Sequence, residues 1–289
     1  MSRTLTGSLA ALFAGAVSLA AAPAALHAAS HPGSHPGGHR AGAPSGQYYS
    51  SVIYPRGRTI AHGSMATLPD VNGLKLKFYT GYLKPGEIYQ ENVVTGACGG
   101  KGRLVVQLGR NQADPDGSIN AVTTVNPTLL SSSSTLHVDV LQDMPGAPTV
   151  ACGEIHQASV VLHLHAVKTS AVGNGGGVFL ITYNVSGNEV LYKTPNRTGT
   201  DVVVFAQGLE PSTLHEEHIH NGQCIPDQNG QVRYDLYYME TDPNGEGVAG
   251  TFFEGRINVA NSYGQVHAAN LQSAACANFG GDGLPMQGS

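Results

Sequence analysis

The chain has 289 residues, of which 12% are charged, with 38 glycines, 16 prolines, four cysteines, no tryptophan and a formal net charge of -5. That length leaves room for two ordinary domains, and the acidic balance excludes nucleic acid as a partner because no basic stripe runs through the sequence. Helical periodicity is scarce: past the N-terminal stretch, short Val-, Tyr-, Thr- and Phe-rich runs are cut by Gly, Asn, Asp and Pro, which predicts an all-β protein built from sandwiches.

In chain order, residues 1–28 read as a secretory signal peptide, with Arg3 in a short leading segment, an apolar run from Leu9 to Ala22 and a small-residue exit. The run is too short for a membrane span of roughly 20 apolar residues, and no other stretch reaches that length. The expected location is therefore secreted or periplasmic, without stable membrane insertion. Cleavage after Ala24, Ala28 or Ala29 stays open. Cleavage after Ala28 would expose Ala29-Ser30-His31, whose amine, two amides and imidazole can bind Cu(II) in a square plane. Residues 29–49 form a His/Gly/Pro-rich linker carrying His31, His35 and His39, read as a solvated tether.

Internal repetition comes next. Phe78-Tyr79-Thr80-Gly81-Tyr82-Leu83-Lys84-Pro85 and Phe205-Ala206-Gln207-Gly208-Leu209-Glu210-Pro211 both read as a strand ending in a Leu-x-Pro turn. Thr95-Gly96-Ala97-Cys98 then parallels Asn221-Gly222-Gln223-Cys224, and Asp114-Pro115-Asp116-Gly117 parallels Asp242-Pro243-Asn244-Gly245. Thr135-Leu136-His137-Val138 is set beside Gln265-Val266-His267-Ala268, and Val150-Ala151-Cys152 beside Ala274-Ala275-Cys276. The expected division is two tandem sandwiches, 50–172 and 173–289, joined at the Gly173–Gly177 run. Four cysteines permit three pairings. The repeat favours Cys98 with Cys152 and Cys224 with Cys276, each stabilising its unit by ~4 kcal/mol on a chain-entropy argument.

The densest histidine cluster outside the linker lies in the second unit, Leu214-His215-Glu216-Glu217-His218-Ile219-His220-Asn221-Gly222-Gln223-Cys224. Read with period 2, it puts His218 and His220 on one strand face, where two imidazoles can share a transition metal. A third ligand must come from elsewhere. The pair His163 and His165 alternates in the same way, but without a partner motif it reads as the polar face of a strand. Single histidines such as His62 and His156 read as surface residues.

This stretch resembles the copper-ligand strand of the Cu/Zn superoxide dismutases, a His-x-x-His-x-His followed by Gly-x-Cys. The resemblance continues through Tyr263-Gly264-Gln265-Val266-His267-Ala268 and Ala274-Ala275-Cys276, covering about residues 175–280. It implies tandem Greek-key sandwiches of the dismutase type, with copper held by His218, His220 and His267 and with His215 in a structural role. The implied activity is dismutation of superoxide at a copper site, an oxidoreductase reaction. Two departures bear on it. Residues 221–266 contain no histidine, so zinc is not expected; and Leu271-Gln272-Ser273-Ala274-Ala275 lacks the arginine that the family places before its last cysteine. In the first unit Tyr89, Asn92 and Val94 stand where His215, His218 and His220 stand in the second, leaving His137 as the one remaining ligand of an inactive copy.

The sequence also resembles chordin-type (CHRD) extracellular domains, through His218-Ile219-His220-Asn221-Gly222 and Gly153-Glu154-Ile155, which implies a non-catalytic structural or binding module. Hydrolase chemistry finds no support: the chain has no Gly-x-Ser-x-Gly elbow and no P-loop, and His215-Glu216-Glu217-His218 is one residue short of the zinc spacing His-Glu-x-x-His.

Overall fold

The computed structural model describes residues 47–131, 135–167, 176–186, 198–225 and 228–280. The signal peptide, the linker histidines and Ala29-Ser30-His31 lie outside them. The described residues belong to one compact unit, Gly42–Ser289, and their regular secondary structure is almost entirely strand.

The first sandwich contains β1 (Tyr49–Pro55), β2 (His62–Asp70), β3 (Gly73–Gly81), β4 (Ile88–Thr95), β5 (Leu104–Gln112), β6 (Ile119–Val125), β7 (Leu136–Gln142) and β8 (Thr149–Gln157). One helical turn, α1 (Pro127–Leu130), is capped by the Asn126 side chain. The second sandwich contains β9 (Val160–Ala166), β10 (Gly176–Ser186), β11 (Thr198–Gln207), β13 (Glu217–Asn221), β14 (Val232–Asp235), β16 (Gly247–Glu254), β17 (Ser262–His267) and β18 (Ser273–Asn278). A two-residue ribbon pairs β12 (Leu214–His215) with β15 (Met239–Glu240).

The two strand orders are β5-β4-β7-β8-β1-β2-β3-β6 and β14-β13-β17-β18-β9-β10-β11-β16, the same path taken twice. In each, strands separated by a hairpin in sequence become neighbours, β3 with β6 and β11 with β16, the crossed connectivity of a Greek key. The turn signatures repeat as well. Gly117 (φ +83) and Gly245 (φ +74) each close a turn against the carbonyl of a leucine, Leu83 or Leu209, where a Cβ would collide.

The division between the sandwiches lies earlier than the glycine run. β9 pairs with β10 and β18, so the second sandwich has begun by Val160. Gly176 and Gly177 are ladder residues of β10; Gly177 packs so closely on the Phe205 carbonyl that no side chain fits. The expected joint at 173–175 lies outside the described residues, while Gly177 serves close backbone approach within a sheet.

Alternation explains the packing. Tyr49 and Ile53 of β1 point into the first core with Met65, Phe78 and Val138. Val52 and Tyr54 point the other way, onto Val178, Leu180, Val203, Phe205 and Val248 of the second sandwich. The neighbours Phe179, Ile181, Val202 and Val204 fill the second core. Strands buried on both faces read as continuous apolar runs, which accounts for Val178-Phe179-Leu180-Ile181 and Val202-Val203-Val204-Phe205. Polar ties cross the same seam: Lys77 Nζ to Asp242 Oδ2 at 2.5 Å, Lys75 to Glu246 at 2.6 Å, and Tyr54 Oη to Asp201 Oδ1 at 3.3 Å.

Both expected disulfides are formed, Cys98–Cys152 and Cys224–Cys276, each with a Cα–Cα distance of 5.8 Å. Paired thiols of this kind fit an oxidising compartment. Among the described residues, no helix is long and apolar enough to cross a membrane.

Candidate metal centre

In β13 the pleat sends Glu217 and Ile219 inward, both fully buried, and His218 and His220 to the opposite face. β17 pairs alongside, with His218 opposite Gln265 and His220 opposite Tyr263. At the end of β17 a bulge in its pairing with β18 falls between Val266 and His267, and the third imidazole turns onto the same face. The ligand atoms of His218, His220 and His267 all lie within 4.8 Å of one another.

Each ring has one nitrogen committed and one turned toward the others. His220 Nδ1 lies 2.8 Å from the Gly230 carbonyl, and His267 Nδ1 lies 3.0 Å from the Leu271 carbonyl. Carbonyl oxygens only accept, so both Nδ1 atoms carry the proton and both Nε2 atoms carry a lone pair. His218 is turned round: its Nε2 faces Asp235 Oδ1 at 3.5 Å, and its Nδ1 lies 3.2 Å from His267 Nε2. With the lone pair on His267 Nε2, that 3.2 Å contact is a hydrogen bond donated by His218 Nδ1–H, and a bound metal ion would take the place of this proton. His220 Nε2 is buried without any hydrogen-bond partner, which costs free energy unless something binds there. The arrangement fits a metal ion: tetrahedral ligands at about 2.0–2.1 Å stand roughly 3.4 Å apart, near the 3.2 Å between His218 Nδ1 and His267 Nε2, with the unpartnered His220 Nε2 beside them.

Burial lowers the pKa of all three histidines, and a neighbouring imidazole adds to the effect in each. The site is therefore neutral near pH 7, the form in which imidazole binds metals. The environment holds the rings firmly. Tyr263 stacks on His220 at 4.9 Å with an interplanar angle of 12°. The turn that supplies the Leu271 carbonyl holds Leu271 at φ +66, and Leu271 N–H closes it on Ala268 O at 2.9 Å.

His215, in β12, is fully buried, with Nδ1 at 2.9 Å from the His267 carbonyl and Nε2 at 3.3 Å from the Glu210 carbonyl. It fastens the backbone of His267 and offers no nitrogen to the other three rings. Glu217 also stays out of the site: it is buried on the opposite face, and burial raises its pKa far above the usual carboxylate range. The rim is acidic, with Asp235 beside His218 and Glu216 accepting from the Tyr238 hydroxyl at 3.0 Å. Arg233 donates to Ala260 O and Ser262 Oγ, and Arg256 lies 4.7 Å from the centroid of the Tyr183 ring.

Sequence reasoning missed Asp235, Gly230, Leu271 and Tyr263. Three of these act on the rings through backbone geometry or strand register, which leaves no motif; Asp235 faces His218 only because β14 pairs with β13.

The register also corrects one alignment. Asp139 pairs with Cys152 across β7 and β8, as Gln265 pairs with Cys276 across β17 and β18, so His137 corresponds to Tyr263. The counterpart of His267 is Leu141, which follows an equivalent bulge. The sequence comparison slid β7 by four residues because a His flanked by Val was the only landmark. Asn92 and Val94 do hold the positions of His218 and His220, opposite Asp139 and His137. The first sandwich therefore keeps none of the three imidazoles.

Among the described residues, the other histidines stay apart from this centre. His163 lies half-buried against Tyr48, His165 is exposed, and His62 sits between Tyr82 and Tyr237. Compared with known proteins, the chain matches no family model and no curated relative.

Proposed function

We propose that the protein is exported and binds one copper ion on His218, His220 and His267, and that its activity, if it is an enzyme, is copper-only superoxide dismutation. One observation carries this reading: three imidazoles, each with one nitrogen facing an oxygen acceptor, bring one ligand nitrogen apiece within 4.8 Å of one another. Three nitrogen donors leave a coordination position for a small molecule. Copper bound there would supply one-electron chemistry through its Cu(II) and Cu(I) states. The chain's own contribution is to fix the three rings: Gly230 and Leu271 set the tautomers of His220 and His267, Asp235 faces His218, Tyr263 holds the plane of His220, and His215 anchors the backbone of His267. The residues 221–266 offer no histidine for a zinc subsite.

The acidic rim favours a second reading, in which the unit is a non-catalytic extracellular module of the CHRD kind. Glu216 and Asp235 oppose the approach of an anion such as superoxide, since capture of a charged substrate follows the local potential.

One experiment separates the two. Mature protein is analysed for copper beside a His218→Ala/His220→Ala variant, and superoxide consumption is measured on both. One copper per chain that is lost in the variant, with turnover lost in parallel, is the outcome expected of the enzyme. Equal copper in both proteins would sink the metal site. Copper without turnover would leave a metal-holding module.

A further inference from the structure

A second cluster of metal-ligand side chains sits on the first sandwich, away from the three histidines. His137 and Asp139 are two apart on β7 and share a face, and Asp139 lies opposite Cys152 in the ladder to β8. One ligand atom from each of His137, Asp139 and Cys152 falls within 4.8 Å of the others. The His137 ring is fully buried, and its Nδ1 is fixed 2.7 Å from the Gly96 carbonyl, in the turn that leads to Cys98. Its Nε2 faces Asp139 Oδ2 at 3.3 Å without hydrogen-bond alignment. Asp139 Oδ1 is buried with no partner at all. A buried carboxylate oxygen without a partner, beside an imidazole nitrogen held only by the ion pair to that same carboxylate, is costly unless something binds there.

The second sandwich provides the contrast. At the same register positions it carries Tyr263 and Gln265 beside Cys276, neither of which is a metal ligand of this kind. The imidazole–carboxylate pair therefore belongs to the first disulfide alone.

We propose that reduction of Cys98–Cys152 converts this cluster into a site for a borderline-soft divalent cation, of which Zn(II) is the prototype, with His137 Nε2, the Asp139 carboxylate and the Cys152 and Cys98 thiolates as its four ligands. While the disulfide stands, neither sulfur is a thiolate and the site is closed. A dithiol reductant delivers two electrons and two protons to the sulfur–sulfur bond, giving two thiols and becoming a disulfide itself. Binding of the divalent ion then displaces both thiol protons, and the ion takes the place of any proton between Nε2 and Asp139. Cys98 is the half-exposed member of the pair and the point of access; Cys152 is fully buried. Tetrahedral ligands at about 2.0–2.3 Å stand roughly 3.3–3.8 Å apart, so His137, Asp139 and Cys152 draw in slightly while Cys98, released from Cys152 by reduction, swings away from it to its own coordination position. The bound ion would hold the two thiols against reoxidation.

The test uses the full chain, reduced with a phosphine in the absence of oxygen and titrated with Co(II), then with Zn(II) in competition. The expected result is a thiolate-to-metal charge-transfer band that saturates with one equivalent of Co(II) at this site. That signal should be absent before reduction and absent from a Cys98→Ser/Cys152→Ser variant. His137→Gln and Asp139→Asn should each weaken Co(II) binding at least tenfold. Co(II) on His218, His220 and His267 gives no thiolate charge transfer and does not interfere. Should His137→Gln fail to fold in the oxidised state, as read by circular dichroism, Asp139→Asn carries the test, because its side chain reaches the surface. The proposal is overturned if reduced protein shows no thiolate band, if the band survives the double Cys variant, or if it is unchanged in the folded His137 or Asp139 variants.

Discussion

At the scale of single residues, the candidate centre depends on which nitrogen each imidazole presents, and that is decided by acceptors one shell further out. Gly230 and Leu271 act through main-chain carbonyls, which no substitution removes, whereas Asp235 acts through a side chain that can be changed. Asp235 sits 3.5 Å from His218 Nε2 and its side chain is 84% exposed. Outer-shell partners of metal-bound histidines contribute about 10–100-fold in affinity, and solvent competition puts an exposed one at the low end. Asp235→Asn is therefore expected to weaken copper binding roughly tenfold, measured by competition with a chelator, while one copper per chain still binds at saturation. A change of a thousandfold would mean that Asp235 itself contacts the metal.

At the scale of elements, what the sequence displayed was whatever period 2 and turn chemistry can encode: short strands, Leu-x-Pro and Asp-Pro turns, paired cysteines, and the shared face of His218 and His220. What it concealed was register across strands. His137 looked like the surviving counterpart of His267, yet the pairing of Asp139 with Cys152 places Leu141 there. Register is set by how a whole strand seats against its neighbour, and a four-residue slide keeps every side chain on its own face, so alternation alone could not reveal it. Gly177 hid its role for a related reason, since it is required by a close approach to Phe205 that only the folded sheet displays.

The corrected register gives a test of its own. Asn92, Val94 and Leu141 occupy the positions of the three candidate ligands, so Asn92→His/Val94→His/Leu141→His should add a second copper per chain. Asn92→His/Val94→His with the native His137 should not, because that ring faces Asp139 and Cys152. Metal stoichiometry on both variants decides it: a second copper in the double variant would restore His137 as the counterpart of His267.

At the scale of the molecule, the sandwiches are joined through an apolar seam crossed by charged and polar pairs of unequal burial. Lys77 is fully buried and its partner Asp242 has a 10% exposed side chain, whereas Lys75 and Glu246 are 25% and 20% exposed. Breaking a buried pair by removing one partner costs about 3–5 kcal/mol, while an exposed pair contributes about 0–1 kcal/mol. Lys77→Met should accordingly destabilise the protein by about 3 kcal/mol in urea unfolding and Lys75→Met by less than about 1 kcal/mol. Equal losses would mean that burial does not rank these two ties.

The same seam contains an acid that works against the fold. Asp201 accepts from the Tyr54 hydroxyl across the interface, and burial pushes its pKa up to about 7, with the hydrogen bonds from Tyr54 and from the Val52 backbone only partly offsetting it. A carboxyl with a raised folded-state pKa holds a proton that the unfolded chain has already released, the unfolded value being about 3.9. Folding is therefore unpenalised below about pH 4. Stability is lost progressively as pH rises from there to about 7, and the loss is complete above it. Glu91, raised to about 7 in the first core by burial that hydrogen bonds from Asn111 and from its own backbone amide only partly offset, pulls in the same direction. Asp201→Asn keeps an oxygen to accept from Tyr54 and removes the titration. Urea unfolding should find the variant more stable than the parent at pH 8, by a few kcal/mol on the linkage argument, and no more stable at pH 4. Equal stability at pH 8 would mean that water reaches Asp201 through the seam and that the two sandwiches separate there more readily than their packing implies.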